Sequence, residues 1–245
     1  MIKKLGIILL LLGLGCYFVA AVTVLNPSKD EQMCCGVEVV VEDSLQTGFI
    51  RTDDVARLLK SRKCDPTGKR MGDVSLVRIE SVLRKNPYIE SATAYKTPGG
   101  KVCVQVRQRL PLLHVMPVAG NDYYLDRSGK LMPKSSYYAD LVVATGHITP
   151  QYARQSLLRL GRFIQEDPFW NNQIQQINVT PAGKVELVPR VGEHVILLGM
   201  PTNVEDKLNR MKLFYTEGLN KVGWNKYSEI CLEYNNQIIC KKNKK

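Results

Sequence analysis

The sequence has no C-x-x-C spacing, no glycine-rich phosphate loop and no second long apolar run. The first absence leaves zinc ribbons and thioredoxin-like redox chemistry without support, although the chain carries seven cysteines. The second leaves a nucleotide-binding loop without a carrier. Histidine is scarce: His114, His147 and His194 are far apart and have no recognisable ligand or nucleophile partner nearby in sequence. Ser75 and the Ser135-Ser136 pair lack a nucleophile-elbow context. Asp53-Asp54 fits the positive end of a helix better than acid–base work. Neither catalysis nor a bound cofactor or metal is therefore expected.

One apolar run is present, over residues 5–25, preceded by Lys3 and Lys4. As a helix it would extend about 31 Å at ~1.5 Å per residue, against a hydrocarbon core of about 30 Å. The basic residues before it set an inside N-terminus of residues 1–4, with the rest of the chain across the membrane. A cleaved signal peptide has a shorter apolar core, though Val19-Ala20-Ala21 would just serve as a cut site. A lipoprotein would use Cys16, but Gly13 stands where such signals want a branched apolar residue. Length favours the uncleaved anchor.

The net charge of +11 raises the question of nucleic acid. No nucleic-acid motif accompanies it, and the compartment argues against one. The clusters Lys60, Arg62, Lys63, Lys69, Arg70 and Lys241, Lys242, Lys244, Lys245 read as solvated faces or as attraction to anionic headgroups.

Residues 26–36 are a polar linker, and 37–41 a β-branched strand. Thr52 caps a helix with Asp53-Asp54 in its first turn and Val55, Leu58 and Leu59 at helical spacing. A second helix covers 74–85, with Leu76, Ile79 and Leu83 on one stripe, and Asn86-Pro87 stops it. The period then changes to two. Residues 88–96 and 101–108 form a hairpin whose Val102, Val104 and Val106 share a face. The order strand, helix, helix, hairpin makes a small α+β domain over 37–111.

The rest, 112–245, reads as a mainly antiparallel β-domain with accessory helices. It offers a hairpin turn at Asp126 and Gly129, strands at 141–146, 174–179, 185–189 and 195–198, and helices at 150–165 and 203–218 with Gly218 as the stop. The last two strands, 229–234 and 237–241, flank a tight turn at Asn235-Asn236. Counting outward places Cys231 opposite Cys240, close enough for a disulfide; two free thiols fit equally well. The final strand is expected at a sheet edge, open to a partner strand or capped by its own lysines.

The segment from Ile79 to Ala92, with Asn86-Pro87-Tyr88-Ile89-x-x-Ala92, resembles the POTRA domain of the bacterial FtsQ/DivIB division proteins. Three further matches follow in the family's order: Gln108-Arg109-Leu110-Pro111, with glutamine where the family has an acid; Tyr124-x-Asp126-x-x-Gly129; and Lys207-Leu208-x-Arg210-x-Lys212-x-Phe214-Tyr215 with Gly223-Trp224. The resemblance implies a non-enzymatic, single-span inner-membrane scaffold, periplasmic in bulk and sited at the division septum. It also implies that FtsB, paired with FtsL, binds the terminal edge by strand addition, through Tyr234, Asn236, Ile238, Ile239, Cys240 and Lys241. The POTRA domain would meet other divisome proteins. The alternatives are a POTRA-bearing assembly or secretion component, for which the barrel strands are too few, and a membrane-anchored envelope enzyme.

Overall fold

The computed structural model describes residues 2–23, 30–42, 48–135, 137 and 139–243. Lys29, Ser136, Lys244, Lys245, the linker residues 26–29 and the end of the apolar run at 24–25 lie outside the described residues. Helix α1 (Ile2–Thr23) covers most of that run. The side chains of 2–5, 7–9, 11 and 21–23 are likewise outside the description. Among the described residues no helix is long and apolar enough to cross a membrane.

The chain divides into two compact units between Gln108 and Arg109. Pro111, assigned to the first domain from sequence, opens a strand of the second.

After α1, the first unit runs β1 (Gly36–Val41), α2 (Thr52–Ser61), a 3₁₀ turn (Met71–Asp73), α3 (Leu76–Arg84), β2 (Ile89–Lys96) and β3 (Lys101–Gln108). The sheet order is β1-β3-β2, with β1 parallel to β3 and β2 antiparallel to it. Val102, Val104 and Val106 of the central strand are fully buried, in one cluster with Val55 and Leu59 of α2 and Ile79 and Leu83 of α3. The expected α+β order is thus observed. The helix starts differ: Arg51, not Thr52, is the N-cap of α2, and its N–H donates to Asp54 Oδ2 at 2.9 Å. Ser75 caps α3 by accepting from Arg78 N at 3.3 Å.

The second unit is built on β4 (Pro111–Pro117), β5 (Tyr123–Asp126), β6 (Leu131–Pro133), β7 (Val143–Gly146), β8 (Ile174–Val179), β9 (Val185–Pro189), β10 (Val195–Gly199), β11 (Tyr227–Cys231) and β12 (Ile239–Lys242). They form one nine-stranded sheet in the order β12-β11-β10-β9-β8-β7-β4-β5-β6. Most neighbours are antiparallel, but β4–β7, β7–β8 and β10–β11 are parallel. Parallel neighbours need a crossover of a dozen residues or more, and the helices supply two of them.

The β7–β8 crossover contains α4 (Pro150–Tyr152), a π-helical turn (Ala153–Leu157), α5 (Leu158–Glu166) and α6 (Pro168–Gln173). The β10–β11 crossover contains α7 (Val204–Leu213), a second π segment (Phe214–Leu219) and α8 (Asn220–Val222). Gly218 therefore does not stop the last helix. It lies inside the π segment, where a Cβ would meet the Phe214 ring at 2.7 Å. The stop is Gly223, at φ +96°, a left-handed conformation that glycine adopts without Cβ strain. Leu160, Ile164, Trp170, Leu208, Met211 and Tyr215 from these helices are buried in one core with the sheet.

Candidate partner-binding edge

β12 ends the nine-stranded sheet, so β11 is its single neighbour among the described strands. The register differs from the tight-turn expectation. Ile230 pairs with Cys240 and Cys231 with Ile239, one residue away from the Cys231–Cys240 pairing expected from sequence. Alternation then puts the two sulfurs on opposite faces, and both thiols are free. Cys240 and Ile238 turn inward against the core, and burial raises the Cys240 thiol above its ordinary pKa. Tyr234 and Ile239 point outward, 56% and 49% exposed. Asn236 is exposed at φ +57°, and Lys241 pairs with Glu229 at 2.6 Å. Of the expected contact residues, Ile239, Cys240 and Lys241 lie on β12, whereas Tyr234, Asn236 and Ile238 lie in the loop before it, and Ile238 and Cys240 pack inward.

The reason for the shifted register is a loop of 232–238 in place of a two-residue turn. Leu232 is fully buried, and Arg210 of α7 holds the carbonyls that follow: Nη1 donates to Tyr234 O at 2.9 Å and Gln237 O at 3.0 Å, and Nη2 to Leu232 O at 3.4 Å. The guanidinium fork suits this multiple donation.

Two other cations of the same sequence motif have comparable tasks. Buried Lys207 donates to Leu198 O and Met200 O, both at 2.9 Å, at the exit of β10. Lys212 reaches Asp167 at 2.9 Å and lies 5.0 Å from the centre of the Phe169 ring, tying α7 to α6. The Lys-x-x-Arg-x-Lys pattern thus ties α7 to three places: the end of β10, the loop before β12, and α6. Sequence inspection marked the pattern without showing these tasks, because every acceptor except Asp167 is a backbone carbonyl.

Two more matched segments meet in space. Arg109 and Asp126 form a buried ion pair at 2.6 Å. Asp126 Oδ1 also accepts from Ser128 N at 2.8 Å and Lys130 N at 2.7 Å, closing the β5–β6 turn. Burial alone would raise the Asp126 carboxyl; Arg109 and these turn donors outweigh it and hold it below the usual carboxylate value. Gln108, standing where the family has an acid, is buried and accepts from Ile50 N at 3.0 Å. A neutral amide oxygen is therefore enough for that bond.

The histidines do not converge. His147 is exposed and His114 half-buried on β4. His194, buried just before β10, has Nε2 2.7 Å from the hydroxyl of buried Tyr215. Burial lowers the pKa of both His194 and His114. The folded chain then resists a proton that the unfolded chain accepts near pH 6.5, so stability falls as pH drops below that value. The expected slope is up to about 1.4 kcal/mol per pH unit for each histidine. Urea midpoints at pH 7.5 and 5.5, the latter about a unit below the ordinary histidine value, should differ less in His194→Gln than in the parent. Equal differences would show that His194 does not contribute.

An open cleft of about 790 Å³ is lined by Tyr123, Met132, Pro150 and their neighbours, with Asp122 and Lys134 paired at 3.0 Å on its wall. Histidine, cysteine and serine are not among its lining residues. Among the described residues no group of three His, Cys, Asp or Glu could hold a metal.

The chain thus joins a β-α-α-β-β domain to a larger mixed sheet with accessory helices, whose last described strand lies at an edge. A POTRA-like domain model matches residues 32–107, and the model described as FtsQ/DivIB, C-terminal related, matches residues 110–241. The chain belongs to the FtsQ/DivIB family, and its domains carry a role in cell division. No curated protein matches it.

Proposed function

We propose that this protein is a single-span scaffold of the division machinery. Residues 5–25 would hold it in the inner membrane, with its bulk on the periplasmic side. The POTRA domain would meet other divisome proteins, and the free side of β12 would receive a strand of FtsB, which comes paired with FtsL. The observation that carries the reading is the position of β12: a four-residue strand at the end of a nine-stranded sheet, with Ile239 and Tyr234 exposed beside it. An open edge supplies a row of backbone donors and acceptors, and the alternating side chains supply selectivity. The full sequence of the apolar run, about as long as a bilayer core is thick, supports the anchor. Confinement to one membrane raises the effective concentration of other tethered chains. This work is assembly, without bond chemistry.

Ile239→Asp tests the edge without disturbing the core, since this side chain faces outward. A carboxylate there must be desolvated when a strand docks. Capture of FtsB and FtsL by the full-length variant is expected to fall at least about tenfold, or about 1.4 kcal/mol. Undiminished capture would overturn strand addition at β12.

A further inference from the structure

Five basic residues of the first domain lie on, or a few residues before, the segment that pairs with residues 30–34. Residues 30–34 are strapped against 68–72 by four backbone bonds: Gly72 N to Asp30 O, Met71 N to Gln32 O and Cys34 N to Lys69 O, each 2.8 Å, and Gly68 N to Cys34 O at 2.9 Å. An isolated bridge pairs Met33 with Arg70. Lys69 and Arg70 therefore lie beside the strap, and Lys60, Arg62 and Lys63 lie at the end of α2 just before it. All five are exposed, and among the described residues none of them enters an ion pair.

The acids on the same segments are Asp30 and Glu31 on the strap, Asp65 in the intervening turn and Asp73 after it. Asp65 is occupied by Thr67, whose N–H it accepts at 3.0 Å. Its carboxyl is held below the usual range first by Thr67, then also by the charges of Lys60 and Lys69; Lys69 N closes the same turn by donating to Pro66 O at 3.0 Å. The cations, unlike the acids, have long stems that carry charge outward. Met33, half-exposed at 51%, adds an apolar side chain next to Arg70. Between Thr23, where α1 ends, and Asp30 the chain can extend at most about 25 Å. A domain on so short a tether cannot take its basic strap far from the surface into which the anchor runs.

We propose that Lys60, Arg62, Lys63, Lys69 and Arg70, with Met33, form a docking surface for a membrane rich in anionic phospholipid headgroups. It rests on the reading of residues 5–25 as a membrane span. Basic side chains within a Debye length of such a surface are attracted to it, and salt screens the attraction. Docking would hold the domain against the membrane and limit the orientations it offers to partners.

The test uses the full chain in nanodiscs of phosphatidylcholine alone, or of equal parts phosphatidylcholine and phosphatidylglycerol. Lysine acetylation by an N-hydroxysuccinimide ester is quantified by mass spectrometry. Lys60, Lys63 and Lys69 are expected to react at least about threefold more slowly in the anionic discs, with Lys241 as the reference, and to recover in about 0.5 M NaCl. The Arg62→Gln/Arg70→Gln double variant should lose most of that protection. Equal rates in the two discs would overturn the inference while leaving the anchor intact. So would equal protection by inorganic phosphate in phosphatidylcholine discs, which would mark a site for small anions. Failure of the chain to enter discs of either composition would overturn the anchor and the inference together.

Discussion

Arg109→Ala is expected to cost the second domain about 3–5 kcal/mol, because it leaves the Asp126 carboxylate buried without its counter-charge. Trp170 and Trp224 are the chain's two tryptophans, and both lie beyond residue 108. Indole fluorescence in a urea titration therefore reports this domain without the first. The pH dependence carries a second signature. Because Asp126 is held below its ordinary value, its contribution is present above about pH 4 and is lost as pH falls through the lowered value. In Arg109→Ala the burial penalty is no longer offset, and the carboxyl titrates higher. The gap between parent and variant is thus expected to narrow below about pH 4. A gap under about 1 kcal/mol at neutral pH would mean that the turn donors at Ser128 and Lys130 suffice for Asp126.

The second large effect is expected at Lys207. Lys207→Met keeps an apolar stem of similar length but removes the donors to Leu198 O and Met200 O. Two carbonyls lose a charged donor at a buried site, at a cost of about 2–3 kcal/mol. Burial also lowers the pKa of this lysine, so part of its contribution is already offset, and the lower end of the range is the better expectation. Arg210→Ala should behave differently. Its acceptors at 234 and 237 lie in an exposed loop and can turn to water, so the urea midpoint should barely move. Hydrogen exchange over 232–242 should instead rise about tenfold as local opening becomes easier. Arg210→Lys should not restore protection, since one ammonium lacks the fork that spans three carbonyls. A large loss of midpoint in Arg210→Ala with unchanged exchange would reverse these assignments.

Local pattern was legible where local physics decided the outcome. The valine alternation at 102, 104 and 106 marks β3, and the strands read at 174–179 and 185–189 coincide with β8 and β9. The helix read at 150–165 is present with Leu157, Leu160 and Ile164 buried, although its π turn leaves no trace in the spacing. The sequence reading faltered where distant groups decided. Asn236 does adopt the left-handed conformation expected of a turn, yet the turn is not tight, because Arg210 holds the carbonyls on both sides of it. Gly218 looked like a helix stop, but its missing Cβ makes room for Phe214. The Arg109–Asp126 pair joined two matched segments whose contact neither segment shows alone. The mainly antiparallel expectation missed the three parallel pairings; two of them are bridged by helical crossovers, and the β4–β7 pair forms across the β5–β6 hairpin, a long-range choice that no local pattern shows.

The parallel pairing of β10 with β11 also imposes an order on synthesis. β11 cannot join the sheet until the whole crossover from α7 to α8 has been made and packed, and β12 can join only after β11. Such long-range pairing is slow compared with hairpin closure, and it places the edge among the last parts of the chain to form. A nascent or truncated chain has its first domain and most of its sheet but no β12 to offer. The proposed recruitment through that edge would then wait on the packing of the β10–β11 crossover, so a chain not yet folded that far would not draw partners to itself.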